Sequence, residues 1–245
     1  MPRAWRRRIV VAAAVLVSGG MAVAVDQAAA GFAEDKLASR LACVAGLPQV
    51  PEVNIHGVPF FAQAMDGRYE AVSVLARQIS LAKLTVREAS ATAHDVSVPG
   101  GEGQVRIGRV EAGLVMDYSS LVTQAPDGAR LSGSDGLVAI ETTAELFGRR
   151  VPVTVFAEAL LSGATLRVVP LEVEVLGLRT SVDALPAKIP GASGISRELP
   201  PLPGGLSYRQ VTAADDGLRL SIGGEDLALE TAGGNDGAKS CGGAA

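Results

Sequence analysis

Aromatic residues are scarce in this chain: they make up 4% of its 245 residues, and the single tryptophan, Trp5, lies close to the N-terminus. Hydrophobic residues still make up 48% of the chain, so its interior must be built mainly from Val, Leu, Ala and Ile. Phe60, Phe61 and Tyr69 fall together in one short stretch, residues 56–69. Leaving such side chains in water costs roughly 1.5–3 kcal/mol each, so either the core or an apolar ligand is expected to cover them.

The residues that catalytic and metal sites use are also few. The chain has two histidines, His56 and His94, and neither a His-x-x-x-His nor a Cys-x-x-Cys spacing. A Gly-x-Ser-x-Gly nucleophile motif is missing as well. His94 and Asp95 are neighbours on a predicted strand and would point to opposite faces, so they form no catalytic pair by adjacency. The sequence predicts a protein that is not an enzyme, without catalytic residues, metal or cofactor.

Positive charge is not in excess. The chain has 22 basic and 26 acidic residues, a formal net charge of −4, and four of its arginines lie within the first eight residues. Phosphate neutralisation by nucleic-acid-binding proteins needs clustered positive charge. The composition therefore excludes nucleic acid as a partner, and it argues against docking on anionic lipid by charge alone.

The N-terminal segment has the composition of an export signal. The early arginines are followed by an uncharged apolar run, residues 9–25, and by three alanines directly before Gly31. Residues 1–30 are either a signal peptide cleaved at these alanines or a signal anchor that keeps the protein on the membrane through residues 9–25. Both alternatives predict an exported protein, in the periplasm or on the outer face of the plasma membrane.

Two cysteines, Cys43 and Cys241, lie near opposite ends of the exported part. An even number of cysteines in an oxidising compartment favours a disulfide. Two unpaired thiols are the alternative. A change in gel mobility on reduction distinguishes the two.

Hydrophobic periodicity predicts one helix followed by strands. Residues 31–46 have apolar residues at helical spacing, and Gly46 ends the pattern. A short helix or turn is predicted at residues 60–65, between extended segments. Period-two alternation with turn residues between the runs indicates an antiparallel meander. Its predicted strands are residues 69–79, 85–98, 104–117, 129–131, 137–143, 150–158, 165–176, 207–212 and 218–222.

Two of these strands have clear faces. On residues 104–117 one face is apolar, with Val110, Ala112, Leu114 and Met116. On residues 85–98 strict alternation places on one face Val86, Glu88, Ser90, Thr92, His94, Val96 and Val98. Residues 184–203 are rich in proline and glycine and are predicted as a loop or short helix. Residues 218–222 close a hairpin with residues 207–212, and its turn is Asp215-Asp216-Gly217.

The predicted fold class is α+β: an N-terminal amphipathic helix wrapped by a long, curved, mostly antiparallel β-sheet. The predicted domain covers residues 31–232, and residues 233–245 form a polar, Gly-rich tail. A long sheet cannot stay flat, and Gly108, Gly113 and Gly148 would let it bend. Because small side chains take the place of aromatics, we expect an apolar groove that is left open for a ligand.

The segment from Gly57 to Phe61 resembles a known motif. Gly57-Val58-Pro59-Phe60-Phe61, followed by Gln63, Gly67 and Tyr69, is similar to the Gly-Phe-Pro-Phe-Leu-type segment of the LmeA-like family of actinobacterial envelope proteins. The resemblance extends more loosely over residues 31–230. Val58 stands where an aromatic is usual, and Phe61 where leucine is usual; both remain apolar.

The resemblance implies a phospholipid-binding protein of the periplasmic space, with a fold similar to half of a tubular lipid-binding (TULIP-like) module. It also implies phosphoinositide binding and a role in elongating the mannan chain of lipoglycans. The expected partners are phospholipid and the membrane surface. The residues expected to hold lipid are Val58, Pro59, Phe60, Phe61, Met65 and Tyr69.

Three alternatives remain open. Phe60 and Phe61 can be ordinary core residues. The same apolar face can bind another polypeptide, which would make the protein an envelope scaffold. An accessory role to a hydrolase or glycosyltransferase is the third.

Overall fold

The chain folds into two antiparallel sheets and an N-terminal helix. The computed structural model describes residues 3–81, 84–98, 104–121, 128–146, 149–184, 194–199, 201–202 and 204–230, and of residues 3–22 it describes the backbone. The described helices are α1 (Arg3–Ala45), α2 (Phe60–Asp66) and α3 (Tyr118–Leu121). The described strands are β1 (Glu52–His56), β2 (Arg68–Leu81), β3 (Leu84–Ser97), β4 (Gln104–Met116), β5 (Arg130–Ser134), β6 (Leu137–Leu146), β7 (Arg149–Ser162), β8 (Thr165–Val175), β9 (Leu178–Ser181), β10 (Ile195–Glu198), β11 (Ser207–Ala214) and β12 (Gly217–Glu230).

The strands divide between two six-stranded sheets, where the sequence predicted one long sheet. Sheet 1 has the order β1-β2-β3-β4-β12-β11, and sheet 2 has the order β10-β8-β7-β6-β5 with β9 paired to β8. All described pairs are antiparallel, so the predicted α+β class and antiparallel meander are confirmed. The chain leaves sheet 1 after β4 and returns to it with β11, which places β12 beside β4.

Helix α1 is continuous from Arg3 to Ala45, whereas the sequence predicted a separate helix from residue 31. Gly31 does not interrupt it, and Gly46, at φ 60°, follows its last residue as expected. The helix lies along the free edge of sheet 1, where the Glu34 carboxylate accepts a hydrogen bond of 2.7 Å from the backbone N–H of Ile55 in β1. It therefore covers an edge of the sheet, and the sheet does not enclose it.

Among the residues whose side chains the structure describes, from Val23 onward, no helix has the length and apolar character that a bilayer span requires.

Strand β4 carries its apolar residues on the predicted face, but the predicted face of β3 is wrong. In β3, Val86 opposes Met116, and after a register shift Ala89 opposes Leu114. Met116 and Leu114 share one face of β4, so Val86 and Ala89 also share a face although they are three residues apart. One extra residue in β3, between Val86 and Glu88, thus moves the line of alanines onto the apolar side, which strict alternation could not indicate.

A second break in the regular strand geometry occurs at the same register position in β3, β4 and β12. Asp95 in β3 and Asp226 in β12 both have positive φ, 53° and 50°, and Gly108 of β4 lies between them in the register. A Cβ added at Gly108 would lie 3.0 Å from the Asp95 Cβ. Aspartate and glycine tolerate this left-handed conformation and close approach. The breaks in the three strands are therefore aligned at Gly108, and the predicted bending of the sheet there stays a prediction; Gly148 lies outside the described residues.

Two clusters fill the interior. The first, which we call the main core, joins the two sheets and contains Val86, Met116, Val155, Val173 and Leu218 among others. The second, the end core, lies at the opposite end of sheet 1 and contains Val96, Ile107, Val110 and Leu227. Both clusters rest on the same face of sheet 1, because Val110 and Met116 alternate along β4 with Ala112 and Leu114 between them.

The remaining predictions fall partly outside the described residues. The hairpin closed by Asp215-Asp216-Gly217 is present as β11 and β12, and β12 continues to Glu230. Of the predicted loop at residues 184–203, residues 185–193 are outside the described part, and the strand β10 lies in the remainder. The tail from residue 233 is also outside it. Strands β9 and β10 were not predicted, because each has only four residues.

Candidate functional site

The predicted short helix is present as α2, at one end of sheet 1. Pro59, in extended backbone at φ −78° and ψ 142°, precedes it, and Gly67, at φ 63°, ends it in the left-handed region. A Cβ at Gly67 would clash with the carbonyl oxygen of Val98, and the N–H of Val98 donates to the Gly67 carbonyl at 2.7 Å. Glycine is therefore required where α2 turns into β2.

A carboxylate from α1 holds the start of α2. Asp26 is 8% exposed, and its two oxygens accept hydrogen bonds from the backbone N–H groups of Phe60, at 2.8 Å, and Phe61, at 2.9 Å. The first amides of a helix have no partner within the helix, so an acidic side chain there satisfies them. Asp26 thereby fixes α2 against α1.

The structure separates the six predicted lipid-binding residues into two groups. Val58, Phe61 and Met65 are exposed, with 82%, 48% and 87% of their surfaces accessible, and Pro59 beside them is also exposed. We call Val58, Phe61 and Met65 the α2 tip. Large apolar side chains this exposed, in one short segment, are typical of an interaction surface.

The second group points into the protein. Phe60 is 9% exposed, and its ring centroid lies 6.2 Å from that of Phe61. Tyr69 is half-buried and packs against the end core. Burial of this kind is what the core alternative expects of Phe60, whereas Phe61 is half-exposed.

Between the two cores, the apolar face of sheet 1 is half-exposed and lined by small side chains. A single row crosses all six strands at this level: Val53, Val74, Ala91, Ala112, Ile222 and Tyr208. Val53 and Ile222 are 5% and 7% exposed, whereas Val74, Ala91 and Ala112 between them are only half-buried. The two alanines at the centre of the row are its smallest side chains, so the protein's own side chains occupy the least volume there.

The small side chains continue along β3. Ala89, Ala91 and Ala93 are half-buried and lie on the same face, between Val86 of the main core and Val96 of the end core. At about 3.3 Å per residue, the three alanines span roughly 13 Å. We call this feature, Ala89, Ala91, Ala93 and Ala112, the alanine trough. Burial raises the pKa of the Tyr208 hydroxyl at its far side, so that group is neutral at physiological pH.

A cavity of about 510 Å³ lies beside α2, at the end of sheet 1 where Tyr69 and Val96 of the end core lie. Its charged lining residues are Arg68, Glu70 and Asp95. Gln63 also lines it: its side-chain oxygen accepts the N–H of Glu70 at 2.8 Å, and its buried Nε2 has no hydrogen-bond partner among the described residues. A buried amide nitrogen in this state is a donor available to a polar ligand.

The histidines and acidic side chains of the described part are the other candidates for metal binding or catalysis. No group of three or more His, Cys, Asp or Glu in the described part could hold a metal ion. His56 bonds to the Ser73 hydroxyl at 2.8 Å, and His94 lies opposite Arg109 in the sheet. The sequence missed Asp26, because its partners are more than thirty residues away, and it missed the alanine trough, because the bulges in β3 have no local pattern.

One of three comparisons with known proteins finds a match. No curated protein and no solved structure matches the chain. The model of the LmeA-like phospholipid-binding family matches residues 24–222, a range that includes Asp26, α2, the alanine trough and both sheets up to residue 222 of β12. The chain belongs to the LmeA-like phospholipid-binding family.

Proposed function

We propose that this protein is an exported envelope protein that binds a phospholipid, with the acyl chains on the alanine trough and the headgroup in the cavity beside α2. The half-exposed apolar face of sheet 1 is the observation that carries the proposal. A folded chain normally fills such a face with its own large side chains, and here half-buried alanines line it. An acyl chain would bury it.

The polar groups of the cavity suit a headgroup that has hydroxyls as well as a phosphate. Arg68 can pair with a phosphate, and the free Nε2 of Gln63 can donate to it. The carboxylates of Glu70 and Asp95 accept hydrogen bonds from hydroxyl groups. This mixture supports a phosphoinositide over a phospholipid without hydroxyls, and by the family resemblance a role in elongating the mannan chain of lipoglycans.

We also propose that the protein stays at the outer face of the plasma membrane with residues 9–25 attached. Cleavage after the alanines at residues 28–30 would remove Asp26 and leave the first amides of α2 without their acceptor. The family match also begins before this point, at residue 24. If residues 1–30 are retained, α2 keeps both of its hydrogen bonds to Asp26. N-terminal sequencing of the mature protein tests whether these residues are retained.

Lipid extraction tests the binding function. The full chain, purified in a mild detergent, should carry phospholipid that mass spectrometry identifies, with phosphatidylinositol enriched over phosphatidylcholine. The variant Ala91→Leu fills the trough and should lower the amount of lipid per protein several-fold. Its matched control is Ser90→Leu, which adds an equally large side chain to the exposed position next to it, on the opposite face of β3.

Three outcomes of this experiment would count against parts of the proposed function. A folded Ala91→Leu variant that carries as much lipid as the wild-type chain would show that the acyl chains do not lie on the alanine trough. A wild-type chain without phospholipid, and unable to take it up from vesicles, would overturn lipid binding. Co-purification of a polypeptide in its place would favour the scaffold alternative.

A further inference from the structure

The α2 tip exposes three large apolar side chains at one end of sheet 1. Met65 is 87% exposed, Val58 82% and Phe61 48%, and Val98, which bonds to Gly67 at the end of the same helix, is 40% exposed. Burying such side chains in an apolar medium is favourable for each of them. Nothing within the described part of the chain covers the tip.

The path of α1 shows what lies beyond the tip. Along this helix, Asp26 bonds to α2, Glu34 bonds to Ile55 of β1, and Gln49, after its end, bonds to Gln78 near the far end of β2. The helix thus runs from the tip towards the other end of sheet 1. Residues 3–25 therefore continue past the tip and, at 1.5 Å per residue, reach roughly 35 Å beyond Asp26.

The tip and the apolar run of α1 therefore lie at the same end of the protein. Residues 9–25 are uncharged, and the last of them precedes Asp26 directly. Because Asp26 fixes α2 onto α1 through two hydrogen bonds, the tip is held next to the C-terminal end of the apolar run. A bilayer that receives this run would meet the tip at its surface.

The charges near the tip favour apolar insertion over electrostatic attraction. Arg68 lies close to Asp66, Glu70 and Asp95, so positive charge does not predominate there. Over the whole chain the formal net charge is −4. Docking by charge on an anionic leaflet needs clustered Lys and Arg, and it weakens with salt.

We propose that the α2 tip is a membrane-docking surface: Val58, Phe61 and Met65 insert into the outer leaflet of a phospholipid bilayer and place the cavity beside α2 at the level of the headgroups. The inference rests on the proposed function, since a lipid-binding protein must take its ligand from a membrane. To that function it adds which surface of the protein contacts the membrane and how the protein is oriented on it. Docking is apolar, so it is insensitive to ionic strength and does not need anionic lipid.

Tryptophan fluorescence in the full chain tests the orientation. Trp5 is the only tryptophan, so the background variant Trp5→Phe is free of signal. Met65→Trp in this background reports on the tip, and Leu178→Trp, at a position 76% exposed on β9 of sheet 2, is the matched control. The probe is a vesicle of phosphatidylcholine with brominated acyl chains, which quench tryptophan on contact.

The expected result is that the Met65→Trp variant shifts its emission to the blue and loses about half of its intensity or more, as an indole at the bilayer interface does. The Leu178→Trp variant should keep its emission although the protein floats with the vesicles. High salt should leave both results unchanged. Adding Val58→Ser and Phe61→Ser to the Met65→Trp variant should lower the fraction of its emission that the vesicles quench, because two apolar side chains no longer insert beside the indole.

An unquenched Met65→Trp variant on vesicles would overturn the docking surface, as would equal quenching of the Leu178→Trp variant. Quenching that disappears in high salt would show electrostatic docking and would overturn apolar insertion. The phospholipid content of the same preparations, measured by extraction, is independent of these results. Lipid-loaded protein with an unquenched tip would refute the docking surface alone, whereas protein without lipid would refute the proposed function.

Discussion

Asp26 joins two elements whose contacting residues are 34 positions apart in the sequence. In the sequence it belongs to the apparent leader, and a leader is normally left out of fold reasoning. In the structure its carboxylate is buried and satisfies two amides of α2. A hydrogen bond to a charged group stabilises a fold more than a neutral one, and an amide left without its acceptor is costly.

The variant Asp26→Ala should lower the free energy of unfolding by about 1–3 kcal/mol, because one buried and one partly buried backbone N–H lose their acceptor. Urea denaturation measures the loss, and hydrogen exchange at the Phe60 and Phe61 amides should become faster. Asp35→Ala is the matched control: Asp35 is an exposed acidic residue of the same helix. A change of similar size in both variants would contradict the role of Asp26.

At the scale of elements, local patterns predicted the helix α2 and the apolar face of β4 well. Gly67 ends α2 and Gly46 follows α1, both in the left-handed conformation that the sequence indicated. Strand β3 was predicted in position but wrong in its facing, because each bulge shifts the alternation by one residue. Bulges are stabilised by neighbouring strands, so the sequence of one strand does not reveal them.

Two glycine substitutions should have opposite effects on stability. Gly67→Ala should lower the melting temperature and cost about 1–3 kcal/mol, because alanine is strained at φ 63° and its Cβ meets the Val98 carbonyl. Gly31→Ala should raise stability by about 0.5–1 kcal/mol, because Gly31 lies inside α1 with nothing within 4 Å of an added Cβ. Differential scanning calorimetry measures both. A stable Gly67→Ala variant would show that the turn into β2 tolerates a side chain.

At the scale of the whole molecule, the two cysteines would tie α1 to the C-terminal tail. The pairing of Cys43 with Cys241 stays a prediction, because Cys241 lies outside the described residues. A link between the end of the first helix and the last residues of the chain closes a very long loop. In the chain-entropy model, such a loop stabilises the folded state by about 4–5 kcal/mol.

Reduction should therefore slow the protein on a denaturing gel and lower its midpoint of urea denaturation. The double variant Cys43→Ser, Cys241→Ser should match the reduced protein, and reductant should leave it unchanged because the chain has no other cysteine. Identical mobility and stability before and after reduction would indicate two free thiols.

The sequence by itself determined the elements of this protein: most strands, the short helix after Pro59 and its end at Gly67, and an interior without many aromatics. These features depend on neighbouring residues, whose spacing is visible in the chain. Only the tertiary structure decided which of the adjacent phenylalanines is buried, that the strands form two sheets, and that alanines line the open face. Each of these depends on contacts between residues far apart in sequence, such as Asp26 with Phe60 and Phe61, or on bulges that adjacent strands share.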